Sequence, residues 1–225
     1  MSTYFIIGSG SVDPLPYYQK IIRQCDVIVG IDGGANHLFA LKQSPDWVMG
    51  DNDSIADFTL RWLKTEGIPL FVYPSEKDKS DFELAAEKII SESSKGIVYL
   101  AAMLGGRIDH TLLNIDIGRK LLQSGFQPIF ISEHTWIRFI QGGEFVKGFG
   151  IKGNILSLIS LSDFIWIKQT INLKYSLSNE KIEKLSSEGL SNVLLSDHFG
   201  LEVLEGEALL VYHSEVQKVS PLLFQ

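Results

Sequence analysis

Residues 45–65 read PDWVMGDNDSIADFTLRWLKT, and the reading of this stretch decides the fold. The apolar run at 47–49 has the length of a buried strand, Gly50 permits a sharp turn, and Phe58, Trp62 and Leu63 then share one helical face. A strand, an acidic turn and a helix in immediate succession make one unit of an open α/β sheet. The unit recurs on both sides. Strands are expected over 4–7, 27–31, 47–49, 70–73, 97–104 and 128–132, with helix-sized intervals between them. Tyr17, Ile21 and Ile22 mark one helical face in the first interval. Ser80 with Glu83 forms a capping box ahead of Phe82, Ala85, Ala86 and Ile89, and 109–122 reads as a helix introduced by Gly105 and Gly106.

From about Thr135 the helical period fades, and short apolar runs at 155–159, 173–177 and 208–212 are divided by Gly, Asn and Ser. That grammar predicts a small β-sandwich or barrel. The chain is therefore read as an α/β N-terminal domain with a mostly parallel Rossmann-like sheet over 1–133, followed by an all-β C-terminal domain over 134–225.

With 225 residues and 45% hydrophobic content, each domain can bury its own core. A net charge of −7 without a dense Lys/Arg run argues against a nucleic acid or an acidic membrane as partner. Cys25 is the only cysteine, so no intrachain disulfide is possible and a reducing cytoplasm is the expected setting. The N-terminus lacks the basic region of a signal peptide, and no segment approaches the roughly 20 apolar residues of a membrane-spanning helix.

The candidate chemistry lies at the predicted strand ends. Asp51 and Asp53, at i and i+2 of an extended segment, can point toward one hard cation; an Asx-rich turn would leave the same pattern. Asp78 and Asp81 are either further oxygen ligands or carboxylates favoured by the first turn of a helix. Lys77 and Lys79 interleave with them and could meet phosphate oxygens, as solvated surface lysines could also be placed. Gly105-Gly106-Arg107-Ile108-Asp109-His110 sets a phosphate-capable guanidinium at a glycine turn leading into a helix, where backbone N–H groups can also receive an anion. His110 is equally readable as a locally bonded helix-start residue. Asp32-Gly33-Gly34-Ala35-Asn36 is another strand-glycine-helix junction, and Gly8-Ser9-Gly10 is a weaker one. Asp13 occupies the last glycine position of a dinucleotide fingerprint, and neither a Walker A loop nor a serine-hydrolase elbow is present. Several acidic and glycine-rich elements at successive strand ends point to metal-assisted phosphoryl transfer.

In this order, DGGA (32–35), GDNDS (50–54), KDKSDFE (77–83) and GGRIDH (105–110) resemble the thiamine pyrophosphokinase family. LKYSL (173–177) and LSN (190–192) are similar to that family's β-domain. The resemblance implies transfer of an intact diphosphate from ATP to the thiamine hydroxyl, with AMP released. It implies magnesium held by Asp51, Asp53 and Asp81, with Asp78 supporting the ion or orienting the hydroxyl, and Arg107 stabilising phosphate charge. Asp32, Asn36, Lys77, Ser80, Asp109 and His110 would line the nucleotide side. Tyr175, Ser191 and Asn192 would meet thiamine, Tyr175 through its ring; without the resemblance Tyr175 reads equally as a buried strand aromatic. The family pattern further implies a homodimer. Asn52 stands where the family usually has Phe, and Tyr175 where it often has Trp. A silent thiamine- or nucleotide-binding protein on the same scaffold, or a diphosphotransferase for another alcohol, are the alternatives.

Overall fold

The computed structural model describes residues 1–12, 16–51, 53–73 and 78–214, and the chain divides into two compact units, Met1–Ser132 and Glu133–Gln225.

In the first unit the strands are β1 (Ser2–Ile7), β2 (Val27–Ile31), β3 (Trp47–Gly50), β4 (Leu70–Val72), β5 (Gly96–Ala101) and β6 (Phe126–Ile131). The helices are α1 (Pro16–Ile22), α2 (Gly34–Ala40), α3 (Asp57–Thr65), α4 (Asp81–Glu92) and α5 (Ile108–Gln123). Every pairing among these strands is parallel, in the order β6-β5-β1-β2-β3-β4. Such a sheet is covered on both faces, which is why Phe5, Ile6 and Ile7 of β1 and Ile129, Phe130 and Ile131 of β6 are buried in unbroken runs rather than alternation. The chain winds outward from β1 to β4, then returns through α4 to place β5 on the other side of β1. The strand order therefore reverses between β1 and β5, and the carboxyl ends of two such strands are where an open α/β sheet forms its ligand crevice.

Local signals explain the elements. The apolar face of α3 joins Leu63 to Ala35 of α2 and Val48 of β3, with Trp62 and Leu60 packed around them. Ser80 caps α4 by accepting from the Glu83 N–H at 3.2 Å, while the Glu83 carboxylate reaches Lys120 of α5 instead of turning back on the cap. In α1 the fully buried ring is Tyr18, and Tyr17 is only half-buried. The expected strand over 97–104 ends at Ala101, because Ala102 adopts φ 53° and its carbonyl turns aside to accept from the Gly10 N–H.

The second unit is antiparallel: β7 (Thr135–Gln141), β8 (Phe145–Phe149), β9 (Ile155–Ile171), β10 (Ser178–Glu183), β11 (Asn192–Val193) and β12 (His198–His213). Strand β9 runs beside β12 along its whole length, from Ile171 opposite Gly200 to Ile155 opposite His213. One end of this ribbon is flanked by β10 and β8, the other by β11 and β7. Register shifts between Glu202 and Ala208 separate the two ends, so the expected series of short strands is corrected to two long interrupted ones. The run at 173–177 is likewise not a strand: apart from a bridge from Leu173 to Leu194 it is loop, since Tyr175 spends both backbone groups on the Asn192 side chain.

Candidate active site

A cleft of about 570 Å³ occupies the crevice predicted by the strand order. Its walls are Gly8-Ser9-Gly10-Ser11 after β1 and Ala102-Met103 after β5, its charged groups are Asp32, Asp51, Lys79, Asp81 and Arg107, and His110 also lines it.

Asp32 follows β2 in a left-handed conformation, φ 46°, fixed by its N–H donating to the Met49 carbonyl and its carbonyl accepting from Ala35 at the start of α2. This turns its carboxylate toward β3, where the Asp51 N–H donates to Oδ1 at 3.2 Å. Gly50 makes the approach possible, because a Cβ there would lie 1.7 Å from the same oxygen. Asp81, first residue of α4, is in hydrogen-bond contact with the Asp32 side chain. Burial, then the contact and charge of Asp81, then the charge of Asp51, push the Asp32 carboxyl up to about 7. Three carboxyls from three strand-helix junctions thus crowd one place.

Asp53 is exposed in the following turn; its N–H donates to Asp51 Oδ1 at 3.1 Å, and contact between the two carboxyls raises its own affinity for a proton. Among the described residues no three His, Cys, Asp or Glu side chains already surround a point as ligands. The donor set nonetheless suits a hard cation: it is all oxygen and anionic, and the like charges that raise Asp53, and that add to burial in raising Asp32, are ones a divalent ion would offset.

On the opposite wall α5 begins at Ile108, after Gly105 and Gly106 in positive φ. The Gly105 N–H donates to Thr111 Oγ1 at 3.0 Å, and Asn114 Nδ2 donates to the Met103 carbonyl at 2.8 Å, so the helix's own side chains hold the loop that precedes it. Arg107 forms a two-pronged ion pair with Asp109, and its hydrogen bonds hold the Asp109 carboxyl down to about 2. Both are exposed, and of the two Arg107 lines the cleft.

The cleft therefore gathers Asp32, Asp51, Ser80, Asp81, Arg107 and His110 of the expected residues. Asp53 and Asp109 flank it through their partners, and Asp78 is exposed just before α4. Asn36 anchors a loop: its amide donates to the Ser54 carbonyl at 2.9 Å and accepts from the Ala56 N–H at 3.0 Å. Lys77 and Asn52 lie outside the described residues. The Gly8-Ser9-Gly10 junction, the weaker one in the sequence, also lines the cleft, and Thr111 and Asn114 are additions whose available signal was their place as polar residues in the first two turns of α5.

In the second unit Tyr175, Ser191 and Asn192 come together. Asn192 accepts from the Tyr175 N–H at 3.0 Å and donates to its carbonyl at 2.7 Å, which presents the ring largely exposed, with Lys174 Nζ 5.2 Å from its centroid. Ser191 sits at φ 57°, held by its N–H donating to Ser157 Oγ. Among the described residues no helix is long and apolar enough to cross a membrane.

Comparison with known proteins bears on the family and the fold. The chain is 26% identical over 211 residues to a thiamine pyrophosphokinase of Bacillus subtilis (strain 168), covering 94% of this chain and 98% of that one. Crystal structures of thiamine pyrophosphokinase from Bacillus subtilis (TM-score 0.81, 21% identity, 95% of this chain and 100% of that) and from yeast (0.76, 16%, 95% and 86%) share the fold. Residues 18–130 match the family described as thiamin pyrophosphokinase, catalytic domain, and the chain belongs to the thiamin pyrophosphokinase family.

Proposed function

We propose that this protein transfers the diphosphate of ATP to the hydroxyl of thiamine, giving thiamine diphosphate and AMP. The observation that supports this most is the convergence of Asp32, Asp51 and Asp81 opposite Arg107 in one cleft of a thiamin pyrophosphokinase family member. Asp51, Asp53 and Asp81 would hold magnesium, with Asp32 as their immediate neighbour and Asp78 in support. When bound, the ion would neutralise phosphate oxygens and favour in-line attack on the β-phosphorus. The Arg107 guanidinium, paired only at the surface with Asp109, can exchange that partner for phosphate oxygens at small cost. The α5 N-terminus and His110 add donors on the same wall.

Tyr175, exposed and backed by Asn192, would offer its ring to the cationic thiazolium, and Ser191 its hydroxyl. A homodimer and a cytoplasmic setting, which suits the free Cys25 thiol, complete the reading. Incubation with thiamine, ATP and magnesium should yield AMP and thiamine diphosphate in equal amounts. Binding of both substrates without product, across several divalent metals, would refute it. Asp51→Asn should lower kcat by about 100-fold or more while the fold, followed by circular dichroism, is retained.

A further inference from the structure

Lys79 lines the cleft, yet its ammonium is held by a residue that does not. Nζ donates to both carboxylate oxygens of Glu87, at 2.7 and 2.8 Å, and Glu87 stands two turns along α4, away from the cleft lining. The same Glu87 Oε1 also accepts from Lys120 of α5 at 2.8 Å, and Lys120 reaches Glu83 at 3.2 Å. One carboxylate thus serves two ammoniums, and Lys120 first, then Lys79, hold its pKa below the usual range.

The two cations are not equivalent. Lys120 has a second carboxylate and lies in the last turn of α5, outside the cleft lining, whereas Lys79 precedes the cap of α4 and borders the space where Asp51, Asp81 and Arg107 meet. The Lys79–Glu87 pair is open to solvent on both sides, and pairs of that kind are weak. An ammonium on a phosphate oxygen is a stronger, charge-assisted contact. An anion entering the cleft would therefore compete successfully for Lys79, provided that the carboxylate left behind kept a partner. Lys120 is that partner.

We propose that Glu87 is a holding site for the Lys79 ammonium, which passes to a nucleotide phosphate when the cleft fills, while Lys120 stays on Glu87 and neutralises it. Lys79 is then a phosphate-binding residue, and Glu87 and Lys120 are positioning residues that set how readily it is released. The inference rests on the reading of the cleft as an ATP site.

The network predicts effects of opposite sign, which a merely structural role would not produce. ATP binding to the full-length protein is measured by calorimetry with magnesium and without thiamine. Lys79→Ala should weaken it about tenfold. Glu87→Gln, which frees Lys79, should tighten it about two- to fivefold, and Lys120→Met, which leaves Glu87 to Lys79 alone, should weaken it by about the same factor. In the Glu87→Gln background, Lys120→Met should change nothing. Equal affinity in Lys79→Ala and the unaltered protein, or weakening by Glu87→Gln, would overturn the exchange while leaving the ATP site intact. Failure of the unaltered protein to bind ATP would overturn both.

Discussion

Asp32 carries the electrostatic cost of the cleft. Its carboxyl titrates near 4 in an unfolded chain and at about 7 in the folded one, so between those values the native state holds more protons than the unfolded state. Stability contributed by this group is therefore present at low pH, declines as pH rises through that window, and is lost above about pH 7. Asp32→Asn removes the titration. The melting temperature of this variant, measured in chelator, should rise relative to the unaltered protein as pH is raised from about 4 to about 7, and should exceed it at about pH 8. A difference that stays constant with pH would contradict the crowding. Asp51 and Asp81 were legible as candidates because a glycine and a helix cap flag them. Asp32 was legible as a junction residue and, through the resemblance, as a nucleotide-side residue, but not as a neighbour of the other two, since that meeting depends on which strands lie side by side.

Among the elements, α4 was the most legible and is the most directly testable. Ser80 satisfies the Glu83 N–H and stands between Lys79 and Asp81, so the cap also fixes the entry of the chain into the cleft. Ser80→Ala should cost about 1 kcal/mol in urea unfolding. It should also weaken ATP binding more than a distant substitution of equal stability cost; unchanged ATP affinity would confine Ser80 to the helix. Glu83 shows the limit of such reading. The capping-box pattern predicts that its carboxylate turns back, but Lys120 lies 37 residues on and within 3.2 Å, and no local pattern reveals it. Strands β9 and β12 were misread for a related reason. Ser162 and Gly206 resemble turn formers, yet Gly206 supplies φ 92° at an interruption of the ribbon, and Ser162 Oγ accepts from the Glu207 N–H and donates to the Phe164 carbonyl, meeting the backbone groups that the break exposes. A polar residue that repairs an interrupted strand has the same sequence signature as one that ends it.

At the scale of the whole molecule, the two units differ in how far sequence alone reveals them. In the first, helix and strand periods alternate and the acids fall at their junctions, so both the parallel sheet and much of the cleft follow from pattern; the boundary expected after residue 133 falls after Ser132. In the second, pairing is between residues far apart in sequence, and its all-β character is readable whereas the antiparallel partners of each strand are not. The division also separates the chemistry. Metal and phosphate candidates belong to the first unit, whereas Tyr175, Ser191 and Asn192 belong to the second. Substitutions should therefore divide by ligand. Asn192→Ala removes both bonds that hold the Tyr175 backbone, each worth about 1 kcal/mol, and should raise KM for thiamine about tenfold or more while KM for ATP stays within about twofold. Tyr175→Phe, which keeps the ring, should leave KM for thiamine nearly unchanged, whereas Tyr175→Ala should match Asn192→Ala. If Asn192→Ala raised both KM values equally, the second unit would be acting on the fold as a whole rather than presenting a ring to thiamine.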